Sequence, residues 1–463
     1  MDLRTCQRAR LTHDPRFDGR FFIGVVTTGI YCRPICPAPS PKEENVRYFP
    51  SAAAAAEAGF RPCLRCRPEA SPGTPAWLGA SSTVSRALKL IGESALDDSG
   101  VEDLAERLGI GSRHLRRLFL KYLGATPVAV AQTRRVHFAK KLIDETNLSM
   151  TQVAMAAGFG SIRRFNATFQ NLYGRTPREL RKASARTSNG HEPGSYTFRL
   201  GYRPPYDWNS IIAFLATRAI PGVEMVTPDE YRRTIRLDGR TGTIAVRPAA
   251  KNYLELQIRY PDPAPLFRIV ERVRAIFDAG ADPAEIARNF RRDARLSPLV
   301  RAYPGLRVPG CWDGFEMSVR AILGQQVSVK GASTMAGRVA AAFGAESEDG
   351  VLFPPPDALA EADLTRVGVT RTRAQSIRAL AAATARGEIA FHGALDAEKF
   401  EEAITHIPGI GPWTAQYVAM RLGEPDAFPA GDLYLRHVGK ESEAWRPWRA
   451  YAAMYLWKGT QGG

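Results

Sequence analysis

Cys32 and Cys36 are separated by three residues, Cys63 and Cys66 by two, and 26 residues lie between the pairs. Sulfur supplied as two close pairs matches a tetrahedral four-thiolate zinc site. One Zn²⁺ is therefore expected on Cys32, Cys36, Cys63 and Cys66. Zinc keeps sulfur as thiolate at neutral pH, so a cluster of this kind is also a store of nucleophile. The plainer role is structural, since binding of roughly 10–16 kcal/mol at such sites is enough to fold a small domain. A second constellation stands at the other end of the chain. Ile407-Pro408-Gly409-Ile410-Gly411 reads as a tight glycine hairpin opening a helix at Pro412-Trp413-Thr414, and Asp432 follows Gly411 by 21 residues. Backbone amides at Gly409 and Gly411, with the positive end of that helix, suit a phosphate. A carboxylate near a bound phosphodiester can stabilise developing positive charge.

The elements that must position these groups are legible in outline. At 463 residues the chain needs three or four domains. The net charge of +16 favours a polyanion. No apolar run approaches bilayer length, and the basic start, Met1 to Arg10, is not followed by an apolar core, so neither a membrane partner nor a secretory leader is expected. A reducing cytoplasm is the expected compartment, and DNA the expected polyanion. Breaks fall at Ala70–Ala76 and at Ser184–Gly194. Between them, Gly109-Ile110-Gly111-Ser112 recurs 49 residues later as Gly158-Phe159-Gly160-Ser161, and Thr126-Pro127 recurs 50 residues later as Thr176-Pro177. Each copy reads as helix, turn, helix. Leu115, Leu118, Phe119 and Tyr122 form the apolar stripe of the first copy, and Ile162, Phe165, Phe169 and Leu172 that of the second. Arg113, His114, Arg116 and Arg117, and in the second copy Arg163 and Arg164, are left for a groove. Beyond Gly194, Leu254, Leu256 and Ile258 alternate as in a strand, Asp238-Gly239 signals a hairpin, and from Pro263 the pattern is helical.

Three resemblances follow from these motifs. Gly29-Ile30-Tyr31-Cys32-Arg33-Pro34-Ile35-Cys36, Glu44-Asn45-Val46 and Ala58-Gly59-Phe60-Arg61-Pro62-Cys63 resemble the N-terminal domain of the Ada methylation-response family. That resemblance implies that Cys32 takes a methyl group from a DNA phosphotriester, with Arg33, Arg61, Arg65 and Arg67 near the phosphate. The paired helix-turn-helix resembles the AraC-family DNA-binding domain. Pro204-Pro205-Tyr206-Asp207-Trp208, Leu306-Arg307-Val308-Pro309-Gly310-Cys311-Trp312, Arg320 to Ser328, the hairpin and Trp445-Arg446-Pro447-Trp448-Arg449 resemble the AlkA-type 3-methyladenine-DNA glycosylases.

The last resemblance implies that Asp432 is the catalytic carboxylate and that Trp413, Tyr417 and Trp445 wall an aromatic cleft for a flipped alkylated purine. It implies that Gln326 stands where a wedge fills the vacated stack, and that hairpin carbonyls hold a monovalent cation. Relatives that also cut the strand carry lysine where Trp413 stands, so strand cleavage is not expected. The segment between Asp432 and Trp445 holds 12 residues, fewer than the family pattern, which leaves open either a distorted cleft or a weak or inactive glycosylase. The Pro-Cys-His-Arg motif of a second methyl acceptor is missing, Cys311 lying in Gly-Cys-Trp instead, so direct reversal of O6-methylguanine is not expected.

The fold expected is multidomain α+β. It comprises a four-cysteine zinc domain of the Ada type (1–76), an AraC-type double helix-turn-helix (80–183) and a linker (184–194). A small α/β domain like the TATA-binding protein (195–262) and an all-α helix-hairpin-helix glycosylase domain (263–463) follow. The function implied is a methylphosphotriester-sensing activator fused to a monofunctional alkylpurine glycosylase, acting as a monomer on double-stranded DNA with RNA polymerase as partner. The alternative is a regulator whose glycosylase half only docks DNA.

Overall fold

The computed structural model describes residues 1–73, 82–93, 95–97, 99–184, 193–391 and 397–460. Most of the linker placed at 184–194 lies outside the described residues. Contacts divide the chain into two compact units, one of residues 1–204, 249–271 and 279–282, the other of 205–248, 272–278 and 283–463.

In the first unit, Phe22–Val25 pairs antiparallel with Ile30–Cys32 and with Val46–Phe49, and Arg61–Pro62 runs parallel to Ile30–Cys32. The register sets Cys32 opposite Ile23 and Tyr31 opposite Gly24. This four-stranded sheet brings the two cysteine pairs to one edge, because Cys36 follows the second strand and Cys63 follows the fourth. The repeat then appears as two helix pairs, Val101–Arg107 with Ser112–Leu123 and Met150–Ala156 with Ile162–Tyr173. Gly109 and Gly158, at φ 70° and 76°, make the matching turns, a left-handed conformation that side chains with a Cβ rarely adopt. Helix Pro127–Glu145 joins the copies. Thr126 caps it and Pro127 occupies its first position, where the missing N–H costs nothing.

That helix also meets the zinc-site sheet. Tyr31 Oη lies 2.9 Å from His137 Nε2, and Arg67, next to Cys66, pairs with Asp144 at 2.7 Å. Burial depresses the His137 imidazole from 6.5 to about 4. Unfolded chains therefore take up this proton below about 6.5, whereas the folded protein takes it up only near 4. The linked stability is complete above the upper value and is lost as pH falls through the window, by about 3 kcal/mol. Urea unfolding followed by hydrogen exchange of residues 127–145, at pH 7 and pH 4.5, should show this loss, and His137→Gln should remove most of it.

In the second unit, Asp207 caps helix Trp208–Arg218, and Glu224–Thr227, Glu230–Leu237 and Arg240–Ala249 form an antiparallel meander. Helix Gly314–Leu323 is buried on nearly every side, its mostly apolar residues packed against the helices around it. Helices Val329–Phe343, Arg371–Ala385 and Pro412–Arg421 pack on it. Its two charged groups are matched: Glu316 meets Arg233 at 2.7 Å, and Arg320 meets Glu224 at 3.3 Å. Among the described residues, no helix is long and apolar enough to cross a membrane.

Candidate functional site

The four sulfurs of Cys32, Cys36, Cys63 and Cys66 all lie within 4.8 Å of one another. Backbone bonds build the cluster: Cys63 N donates to Tyr31 O at 3.0 Å, Cys36 N to Arg33 O at 3.1 Å, and Arg33 N to Cys66 Sγ at 3.4 Å. Hydrogen bonding among the thiols, and then burial, push Cys32 and Cys66 above the ordinary thiol range. Four sulfurs so close cannot all ionise by themselves. A divalent cation among them relieves that repulsion, so the donor set fits zinc. Cys36, Cys63 and Cys66 are buried, whereas Cys32 is partly open to solvent.

On helix Ser112–Leu123, Leu115, Phe119 and Leu123 are buried, while Arg113, His114, Arg116 and Arg117 are exposed. On helix Ile162–Tyr173, Arg163 and Arg164 are exposed and Phe165, Phe169 and Tyr173 are buried. Ile162 departs from the expected stripe, being 40% exposed. Phe159, arriving from the turn, packs with its ring centroid 5.2 Å from that of Phe165.

The third constellation lies within the second unit. Trp413 and Tyr417, one helical turn apart, stack with centroids 5.5 Å apart and planes within 2°. Trp457 meets Tyr417 edge-on at 6.3 Å, and its Nε1–H donates to Asp432 Oδ1 at 3.0 Å. The same carboxylate oxygen accepts from Tyr434 N at 2.9 Å. Tyr417 Oη accepts from Arg421 Nη1 at 3.2 Å. Burial would raise this phenol, but Arg421, Arg218 and Arg320 together hold it below its ordinary value. Arg421 is itself fixed by the carbonyls of Pro309 and Gly310, at 2.6 and 2.8 Å.

Gly409 has φ 82°, and a Cβ there would lie 2.3 Å from Ser376 Oγ, so this position requires glycine on two grounds. Gly411 caps helix Pro412–Arg421 at φ −98° with open space above it. Only the first of the two glycines uses the left-handed region. Gln325 Nε2 ties the hairpin in place, donating to Gly409 O at 2.9 Å and Thr414 Oγ1 at 3.1 Å. Gln326 projects into solvent at φ 54°.

Comparison with known proteins finds four family matches along the chain. Residues 5–69 match the metal binding domain of Ada, 104–183 a helix-turn-helix domain, 197–313 the AlkA N-terminal domain, and 319–458 the HhH-GPD superfamily of base excision DNA repair proteins. A Mycobacterium tuberculosis protein, described as a probable bifunctional transcriptional activator/DNA repair enzyme AlkA, is 42% identical over 98% of this chain and 96% of its own length. The chain belongs to the Ada/AlkA family of bifunctional transcriptional activator/DNA repair enzymes. Escherichia coli DNA-3-methyladenine glycosylase 2 is 32% identical, covering 56% of this chain and 96% of its own. Bacillus subtilis AdaA, another bifunctional transcriptional activator/DNA repair enzyme, is 33% identical over 40% of this chain and 86% of its own. The solved 3-methyladenine DNA-glycosylase of Archaeoglobus fulgidus shares the fold, with TM-score 0.50 at 23% identity over 56% of this chain and 97% of that one.

Two expectations about this Ada/AlkA protein change. Arg33 does not offer itself to a phosphate. It is 4% exposed, its Nε donates to Asp18 Oδ1 at 2.8 Å and its Nη1 to Cys66 O at 3.0 Å, so it clamps the cluster from within. The exposed cations beside the cysteines are Arg61 and Arg65. Trp445 is 2% exposed, donates Nε1–H to Asp293 Oδ2 at 2.6 Å and packs edge-on against Phe428, a core position rather than a cleft wall. Trp457, and not Trp445, is the indole that meets Asp432 and Tyr417. No periodicity marked it, because helix Arg449–Thr460 is apolar nearly all round. The short segment after Asp432 is bridged by a turn and the 3-10 helix Gly439–Trp445, and Asp432 accepts from Trp457 Nε1.

Trp457→Phe keeps a ring but removes the indole donor. Losing one hydrogen bond to a carboxylate should slow base release roughly tenfold. Single-turnover release, with an unchanged urea midpoint, checks this.

Proposed function

We propose that this protein runs two repair chemistries on alkylated duplex DNA and converts one of them into a transcriptional signal, as in an adaptive response to methylation damage. In the first, Cys32 Sγ attacks the methyl carbon of a methylphosphotriester, the C–O bond breaks, and the phosphodiester leaves as an anion. When bound, Zn²⁺ supplies the charge that keeps the cysteine sulfurs deprotonated. Arg61 and Arg65 hold the strand, and the outward arginines of the two helix-turn-helix copies read promoter DNA in successive major grooves.

In the second, a nucleotide is extruded into the cleft of Trp413, Tyr417 and Trp457. These electron-rich faces favour a cationic alkylated purine, by roughly 0.5–2 kcal/mol per ring. Asp432 faces the sugar as its N-glycosidic bond breaks, and the carboxylate stabilises the positive charge that develops there. A cationic base leaves without a strong general acid. Gly409 and Gly411 hold a phosphate, Gln326 enters the vacated stack, and hairpin carbonyls hold a monovalent cation. With Trp413 where a lyase carries lysine, the reaction stops at the abasic site. RNA polymerase is the partner of the activator function, and the protein works as a monomer on the bacterial nucleoid in the cytoplasm.

The observation that carries this reading is the hydrogen bond from Trp457 Nε1 to the Asp432 carboxylate, with Trp457 packed edge-on against Tyr417 and Tyr417 stacked on Trp413. Methylated adenine released from alkylated DNA by the intact protein, without strand scission, is the expected result. DNA binding with no base released would leave a regulator with a docking module.

A further inference from the structure

Leu433 and Tyr434, directly after Asp432, are 61% and 49% exposed. The turn that presents them is firmly set. Tyr434 N donates to Asp432 Oδ1 at 2.9 Å, Leu435 N and Arg436 N donate to Asp432 O at 3.1 and 2.9 Å, and Leu435 is fully buried as the anchor. Arg436 and His437 are exposed alongside. A pair of large apolar side chains held outward, with cationic and imidazole groups beside them, matches a strand that has both bases and phosphates.

The position of the pair limits what can cover it. On the reading of Asp432 given above, on which this inference rests, the deoxyribose of the extruded nucleotide sits at that carboxylate. The adjoining sugars and bases must then pass the next two residues of the chain. The wedge position, meanwhile, holds Gln326, whose amide stacks poorly on a base. We propose that Leu433 and Tyr434 are DNA-positioning residues that pack against the nucleotide flanking the extruded one, Tyr434 providing the stacking that Gln326 does not. Arg436 and His437 meet the phosphates on either side.

Both side chains are exposed, so replacing them leaves the core intact. The test uses the full chain and two duplexes of one sequence. One carries a tetrahydrofuran abasic analogue beside 2-aminopurine, and the other is undamaged. The ratio of the two affinities cancels binding through the helix-turn-helix copies. Tyr434→Ala and the double variant Leu433→Ala/Tyr434→Ala should reduce that ratio about tenfold, the scale of one base–aromatic stack, and weaken the 2-aminopurine response. Tyr434→Phe, which keeps the ring, should retain both.

An unchanged ratio and signal in the double variant would overturn the proposal. So would a double variant that discriminates normally while losing self-association in sedimentation, since the pair would then face a second copy. Asp432→Asn separates this inference from the reading beneath it. If Asp432→Asn abolishes release while the double variant discriminates normally, only the positioning role falls. If Asp432→Asn releases base normally, the catalytic assignment falls with it.

Discussion

Asp432→Asn lowers base release by roughly 10²–10³-fold and leaves DNA affinity unchanged, the range expected when one aligned electrostatic group is removed from a reacting centre. The substitution keeps size and keeps an oxygen for Trp457 Nε1 and Tyr434 N, which hold Oδ1 at 3.0 and 2.9 Å. What it deletes is the negative charge. On the proposed reading, ground-state binding rests on stacking and on the hairpin amides, neither of which needs that charge. The effect should therefore fall on the rate constant of a single turnover and not on the half-saturating DNA concentration. Asp278 offers a control, because burial raises that carboxyl to about 6 and Tyr451 Oη donates to it at 2.8 Å within the core. Asp278→Asn should change stability with little change in the chemical step.

Cys32→Ala abolishes methyl uptake from methylated DNA, and no other cysteine takes over the reaction. Cys36, Cys63 and Cys66 are buried, whereas Cys32 is partly open to solvent, which favours Cys32 as the acceptor. The measurement is transfer of labelled methyl to protein. The variant should still fold around its three remaining sulfurs, whereas Cys66→Ala should destabilise residues 1–73 far more. Cys66 Sγ accepts from Arg33 N, so its loss removes that contact as well as a metal ligand, while the Cys66 carbonyl that accepts from Arg33 Nη1 is kept. Methylation of Cys32 neutralises one of the four thiolate charges, which should strengthen DNA binding most at low salt. In the Cys32→Ala protein the affinity should not respond to pretreatment with methylated DNA.

Much of this was legible in the order of residues because the relevant physics is local. Metal-ligand spacing depends on how a short turn closes, and the pairs Cys32–Cys36 and Cys63–Cys66 close such turns. A repeat of Gly-x-Gly-Ser at fixed offset repeats a backbone need, which Gly109 and Gly158 meet at φ 70° and 76°. The hairpin and its following helix are likewise local, so Gly409 and Trp413 could be placed before any coordinates.

What only the tertiary structure decided are the pairings between distant residues. Trp445 finds Asp293 across 152 positions, and so sinks into the core, while Trp457 reaches back 25 positions to Asp432. Arg33 reads as a surface cation until Asp18 and the Cys66 carbonyl draw it inward. Periodicity tells which face of a helix is apolar, but every indole looks alike on a helix that is apolar all round. The sequence alone determined that this chain carries a thiolate cluster, paired DNA-reading helices and a hairpin followed by an acid. The packed fold determined which ring touches the acid and which cysteine faces solvent, because burial and long-range hydrogen bonds are chosen by the whole molecule and not by neighbouring residues.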